Sequence, residues 1–106
     1  MKLYRLDEMK GGWFVGNFEP SCLRTDAFEV ASKQYKSGDH ESRHVHRIAT
    51  EITVITAGRV IMNGQTFVAG DVILLEPGES ADFEVLEDAL TVVVKTPSII
   101  GDKYPA

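Results

Sequence analysis

A single cysteine, Cys22, stands in the 106 residues, so no disulfide can close within the chain. With no histidine near it in sequence, it reads as a small apolar side chain or an idle surface thiol, not as a nucleophile. No apolar run approaches the roughly 20 residues that a membrane-spanning helix needs. No positively charged start followed by an apolar segment marks export, and the cytoplasm is the expected compartment. Basic residues are outnumbered, 11 Lys and Arg against 16 Asp and Glu, for a formal charge of -5 with no basic cluster. That balance argues against nucleic acid or an anionic membrane as a partner, because both attract cationic faces. A small ligand, neutral or sugar-like, is the easier partner to reconcile with it. Helical periodicity is missing throughout, and no histidine follows His46.

What remains is a chain of short strands and turns. A length of 106 residues with 43% hydrophobic content suits one core, and residues 1–106 are expected to form one domain. The stretch from Phe28 to Tyr35 alternates roughly, and Glu51 to Thr56 and Arg59 to Met62 are rich in β-branched residues. Asn63-Gly64 is the strongest turn signal, since both residues tolerate the positive φ of a type I′ turn; it predicts a hairpin joining Arg59–Met62 to Gln65–Val68. Gly70-Asp71 opens a further strand, Val72 to Leu75, which Pro77-Gly78 ends. Asp82 to Leu86 and Leu90 to Lys95 complete the series, with Glu87-Asp88 read as the turn between them. Short strands at such spacing predict an all-β sandwich or barrel.

One segment carries chemistry. Between Gly38 and Gly58 stand His44, His46 and Glu51. On an extended strand His44 and His46 project from the same face and can share one ion. Two imidazoles and a carboxylate suit iron, manganese, nickel, zinc or copper better than calcium. His40 shares strand parity with His44 and is a further candidate for the same face. Tyr35, Gln34, Arg43 and Thr53 are the remaining polar candidates, with no direction assigned to their side chains.

The pattern Gly38, His44, His46, Glu51, Gly58 resembles the first conserved motif of the cupin superfamily, with every position filled across residues 38–58. The resemblance implies a single cupin-type β-barrel, or jelly roll, holding one divalent transition metal ion on His44, His46 and Glu51. The second cupin motif is met in degenerate form over residues 70–85. Gly70, Pro77 and Gly78 fit, Glu76 stands where the pattern has its first proline, and Val85 stands at its asparagine. Ala81 occupies the position of the family's fourth ligand, a histidine. Asp82, next to it, would need a bulge to face inward, and Glu79 lies in the turn where it could fold over the opening.

The flanking segments are read structurally. Residues 1–27 form an N-terminal strand and loop segment in which Trp13, Phe14 and Phe18 concentrate; closing the barrel or a dimer is preferred for them over an aromatic lip on a ligand pocket. Residues 96–106 read as a tail wrapping back on the body. The strands Val72 to Leu75 and Leu90 to Val94 are apolar on both faces, which predicts a homodimer with swapped or paired N-terminal strands covering the outer side. The resemblance implies a metal-dependent enzyme acting on a small molecule, an isomerase, lyase or dioxygenase. The alternatives are a non-catalytic binder of a sugar-like or acidic ligand, and a degenerate cupin without metal.

Overall fold

Runs of β-branched and aromatic residues broken by glycines produce nine strands in the computed structural model, which describes all of residues 1–106. Two single 3-10 turns, Leu6–Glu8 and Lys10–Gly12, lead into β1 (Trp13–Gly16), β2 (Leu23–Arg24), β3 (Glu29–Tyr35) and β4 (His40–Val45). Then follow β5 (Thr50–Met62), β6 (Gln65–Val68), β7 (Val72–Leu75), β8 (Ser80–Thr96) and β9 (Tyr104–Pro105). No helix is long and apolar enough to cross a membrane.

All nine strands join in one sheet, and β8 is its hub, antiparallel to β3, β4 and β5. Residues 89–95 of β8 lie between β3 and the first part of β5, whereas residues 80–87 lie between β4 and the last part of β5. The sheet thus rolls into two facing walls. One wall is β1, β3, β7 and the adjoining parts of β8 and β5; the other is β4, β6, β9 and their remaining parts. Between the walls lie Ile55, Val60, Met62, Ala81, Phe83, Val85 and Ala89, packed against Tyr35, Phe67, Ile73 and Leu75. Alternation holds along both ends of β8, where Ala81, Phe83 and Val85, then Ala89, Thr91 and Val93, are buried, and lapses only over the exposed Leu86–Asp88.

The expected turn at Glu87-Asp88 is not formed, because β8 continues unbroken through it. Likewise Glu51–Thr56 and Arg59–Met62 are parts of one strand, β5. The roll is achieved inside β5 by register shifts between Ile55 and Val60. Gly58 sits there at φ 88°, and a Cβ on it would lie 2.2 Å from the Asp88 carbonyl oxygen. Glycine is required at that crossing on both counts. Glu87 and Asp88 are polar because they are exposed at the outer edge of the bend, a position whose composition matches that of a turn. The Asn63-Gly64 hairpin forms with both residues at positive φ and registers Met62 against Gln65.

Candidate functional site

Several side chains facing the interior between the walls carry acid or imidazole groups, and their direction follows from strand register. On one wall, Glu29, Lys95 and Glu51 form one cross-strand row, and Lys33 is registered with Thr91 in another. On the opposite wall, His44 is paired with Ala81 and Glu41 with Phe83. His44, His46 and Glu51 all line one cavity of about 180 Å³, together with Glu41, Tyr35 and Lys33. Ala81 lines it too, directly across from His44.

The register between β4 and β8 slips between Glu41 and His44. This bulge reverses the parity on which His40 was expected inside: His40 is exposed and paired with Glu84, and Glu41 takes the interior place instead. Glu41 was therefore missed from sequence, since a one-residue slip leaves no compositional mark. Asp82 borders the cavity, but its carboxylate meets the Arg43 guanidinium at 3.3 Å and accepts the Asn63 N–H at 2.7 Å, which commits it away from the histidines. Glu79 is exposed and accepts the Glu76 N–H at 3.2 Å. Thr53 lines the cavity, whereas Gln34 and Arg43 do not.

Both histidines are oriented by backbone carbonyls. His44 Nδ1 lies 2.9 Å from the Ser42 carbonyl inside the bulge, and His46 Nδ1 is bonded to the Asp102 carbonyl of the tail. Donation from Nδ1–H to a carbonyl leaves the Nε2 lone pair for another partner. His46 is 6% exposed, and its Nε2 has no hydrogen-bond partner. Glu51 Oε1 stands 3.9 Å from that nitrogen, and the His44 ring lies 5.3 Å from the His46 ring, edge on. An orphaned imidazole nitrogen beside a carboxylate and a second imidazole is a donor set whose chemistry fits a first-row metal ion. The side chains as placed do not draw three such donors into one closed metal-holding cluster.

The tail supplies more than a wrap. Asp102 is 5% exposed, and its carboxylate accepts the N–H groups of Arg47 at 2.9 Å, Ile48 at 3.1 Å and Ala49 at 2.9 Å. Burial pushes its carboxyl up, but the N–H groups of Ala49, Arg47 and Ile48, with His46 nearby, outweigh this and hold it below the ordinary 3.8. The loop that follows His46 is thus fixed from the C-terminal end of the chain. From the other side, the Gly78 N–H donates to the His46 carbonyl at 2.8 Å. Arg47 stacks over Tyr104 at 3.9 Å, which holds the tail in place.

Tyr35 donates from its hydroxyl to Glu41 Oε1 at 3.4 Å. Burial, and then the Glu41 charge, push the Tyr35 phenol well above its ordinary range, so it stays protonated at neutral pH. Burial pulls the Lys33 amine down; Glu41 and Glu51 oppose this, and Lys103 and Lys95 add to it. Trp13 stands at the cavity wall with Lys95 Nζ 4.8 Å and Lys33 Nζ 5.4 Å from its ring centroid. Its aromatic face therefore borders the pocket, the role set second to a purely structural one from sequence. Lys33 and Lys95 were also missed. Their signal was available, since they share strand parity with the interior residues Ala31, Tyr35 and Val93.

No protein-family model and no curated protein matches the chain. Solved structures do. A conserved protein with a double-stranded β-helix domain from Klebsiella pneumoniae is 21% identical, with a TM-score of 0.72 over 99% of this chain and 91% of that one. The DMSP lyase DddQ from Ruegeria pomeroyi is 17% identical, with a TM-score of 0.73 over 89% of this chain and 49% of that one. A sugar phosphate isomerase of the cupin superfamily from Silicibacter pomeroyi is 24% identical, with a TM-score of 0.60 over 66% of this chain and 50% of that one. The chain spans about half the length of the latter two. These likenesses, with the rolled sheet, give the fold as that of a small cupin.

Proposed function

We propose that the protein is a metal-dependent cupin that acts on a small molecule inside the barrel as an isomerase or lyase. The observation that carries this reading is the unpartnered, buried Nε2 of His46, set between Glu51 and His44. His44, His46 and Glu51 would hold one divalent ion, with Ala81 leaving the position across from His44 without a donor. Such an ion would act as a Lewis acid toward a carbonyl or hydroxyl oxygen. The chain's own groups then divide the proton work. Glu41 is placed to accept a proton, and the protonated Tyr35 beside it is placed to hold or return one at its hydroxyl. An acid and base pair on the cavity wall favours proton transfer over a reaction with dioxygen. Proteins of this fold include a lyase and an isomerase by name, which is consistent with that choice.

The test is metal analysis of protein purified without a histidine tag. About one first-row ion per chain is expected, and His46→Ala or His44→Ala should remove it. Wild-type protein that stays free of iron, manganese, nickel, zinc and copper after exposure to each would leave a metal-free pocket as the answer. Turnover of a bound small molecule separates an enzyme from a binder.

We also propose that the protein is a homodimer joined through the outer face of the first wall. Val30, Val94, Ile52 and Leu74 form one cross-strand row there, and Val92, Val54 and Val72 form the next. Val72 is 64% and Leu74 53% exposed, which is unusual for adjoining apolar positions on a monomer surface.

A further inference from the structure

The metal reading accounts for the imidazoles of the cavity and leaves its lysines unexplained. Of the chain's 11 Lys and Arg residues, three, Lys33, Lys95 and Lys103, line this one cavity, in a protein whose formal charge is -5. Lys95 is committed to Glu29 at 3.5 Å. Neither Lys33 nor Lys103 is within ion-pairing distance of a carboxylate, and Lys33 Nζ has only the Gly11 carbonyl at 3.0 Å. Lys33 is half-buried, and taking an ammonium partly out of water without a counter-charge is costly, whereas Lys103 is exposed. Beside Lys33, at the register position opposite it on β8, stands Thr91. Thr91 is 1% exposed, lines the same cavity, and has a hydroxyl with no hydrogen-bond partner. A buried hydroxyl, the half-buried Lys33 ammonium, the exposed Lys103 ammonium and a tryptophan ring therefore border one cavity.

We propose that the ligand of this cavity carries an oxyanion, a carboxylate or a phosphate, which Lys33, Lys103 and the Thr91 hydroxyl receive on the Trp13 side. This deepens the small-molecule reading above and rests on it, but it does not require the metal. A cavity of about 180 Å³ is small beside the roughly 300–1,000 Å³ of pockets that take drug-sized ligands, which suits a small acid or a short phosphate ester. The net negative charge of the protein had favoured a neutral ligand. The local arrangement reverses that preference, because binding follows the field at the site and not the sum over the chain.

The test uses the full chain, with and without prior EDTA treatment, and measures binding by calorimetry and thermal shift. The probes are 2-oxoglutarate against its dimethyl ester, and glycerol 3-phosphate against glycerol. At least one anion is expected to bind at least tenfold more tightly than its neutral counterpart, and which one binds identifies the oxyanion. Lys33→Gln and Lys103→Gln should each weaken that binding at least tenfold, Lys33→Arg should retain it, and the exposed Lys36→Gln should leave it unchanged. A far-ultraviolet spectrum and melting temperature for each variant separate loss of binding from loss of fold. Equal binding of anion and neutral partner, no binding by any probe, or full binding by folded Lys33→Gln would overturn the proposal. Anion binding that survives in protein unable to take up metal would sink the metal reading alone. A metal-loaded protein indifferent to the anions would sink this inference alone.

Discussion

Replacing Asp102 by asparagine removes one charge from the tail and nothing from the cavity lining. In the native chain that carboxylate takes three N–H groups, from Arg47, Ile48 and Ala49, at 2.9 to 3.1 Å. A hydrogen bond to a charged acceptor contributes about 1.5 to 3 kcal/mol each, and loss of a single shared acceptor is less than additive. Asparagine keeps one oxygen, so a net loss of about 3 kcal/mol is expected, or about 12 to 20 °C in Tm for a domain of this size. Urea titration and thermal scans against wild type measure it. The sign with pH follows from the lowered Asp102 carboxyl. The contribution is present above the ordinary carboxyl value of 3.8 and is lost as pH falls through the depressed native value. The gap between wild type and Asp102→Asn should therefore be flat from pH 8 to about pH 5 and shrink only below about pH 4. A gap under about 0.5 kcal/mol at pH 7, or one that persists undiminished at pH 2, would refute the reasoning.

Gly58→Ala should destabilise by about 3 kcal/mol or more, since its Cβ meets the Asp88 carbonyl and its φ is left-handed; equilibrium unfolding measures this, and a loss under about 1 kcal/mol would mean the bend relaxes freely. Ala81→His puts an imidazole across from His44 and should tighten metal affinity at least tenfold, read by competition with a chelator; unchanged affinity would show that this position does not reach the donor set. Val72→Glu with Leu74→Glu should shift a dimer to monomer in sedimentation velocity while the melting curve stays cooperative; wild type already monomeric at micromolar concentration would remove the dimer proposal.

Local chemistry that acts on its own backbone was legible from the residues. Asn63-Gly64 makes its turn, Val72–Leu75 makes its strand, and His44, His46 and Glu51 reach one cavity, because turn geometry and the period-two alternation are set by near neighbours. Features that depend on two distant segments meeting were not. The Glu41 slip depends on how β4 registers against β8. The unbroken passage through Glu87 and Asp88 depends on β5 bending in its place. The tie between Asp102 and residues 47–49 joins segments more than 50 positions apart. Lys33 and Lys95 lie between these cases: parity gives their direction, but only the closed barrel gives them a common cavity.

Because β5 and β8 each run from one wall into the other, the two halves of the barrel cannot swing apart as separate plates. The short C-terminal strap, which lends Lys103 to the cavity wall, is held separately, by Asp102 and by two residues of β9. The amide protons of Arg47, Ile48 and Ala49 then report how firmly that strap is fastened. Their exchange with solvent should quicken before that of any amide in the strands, and slow when the interior is filled.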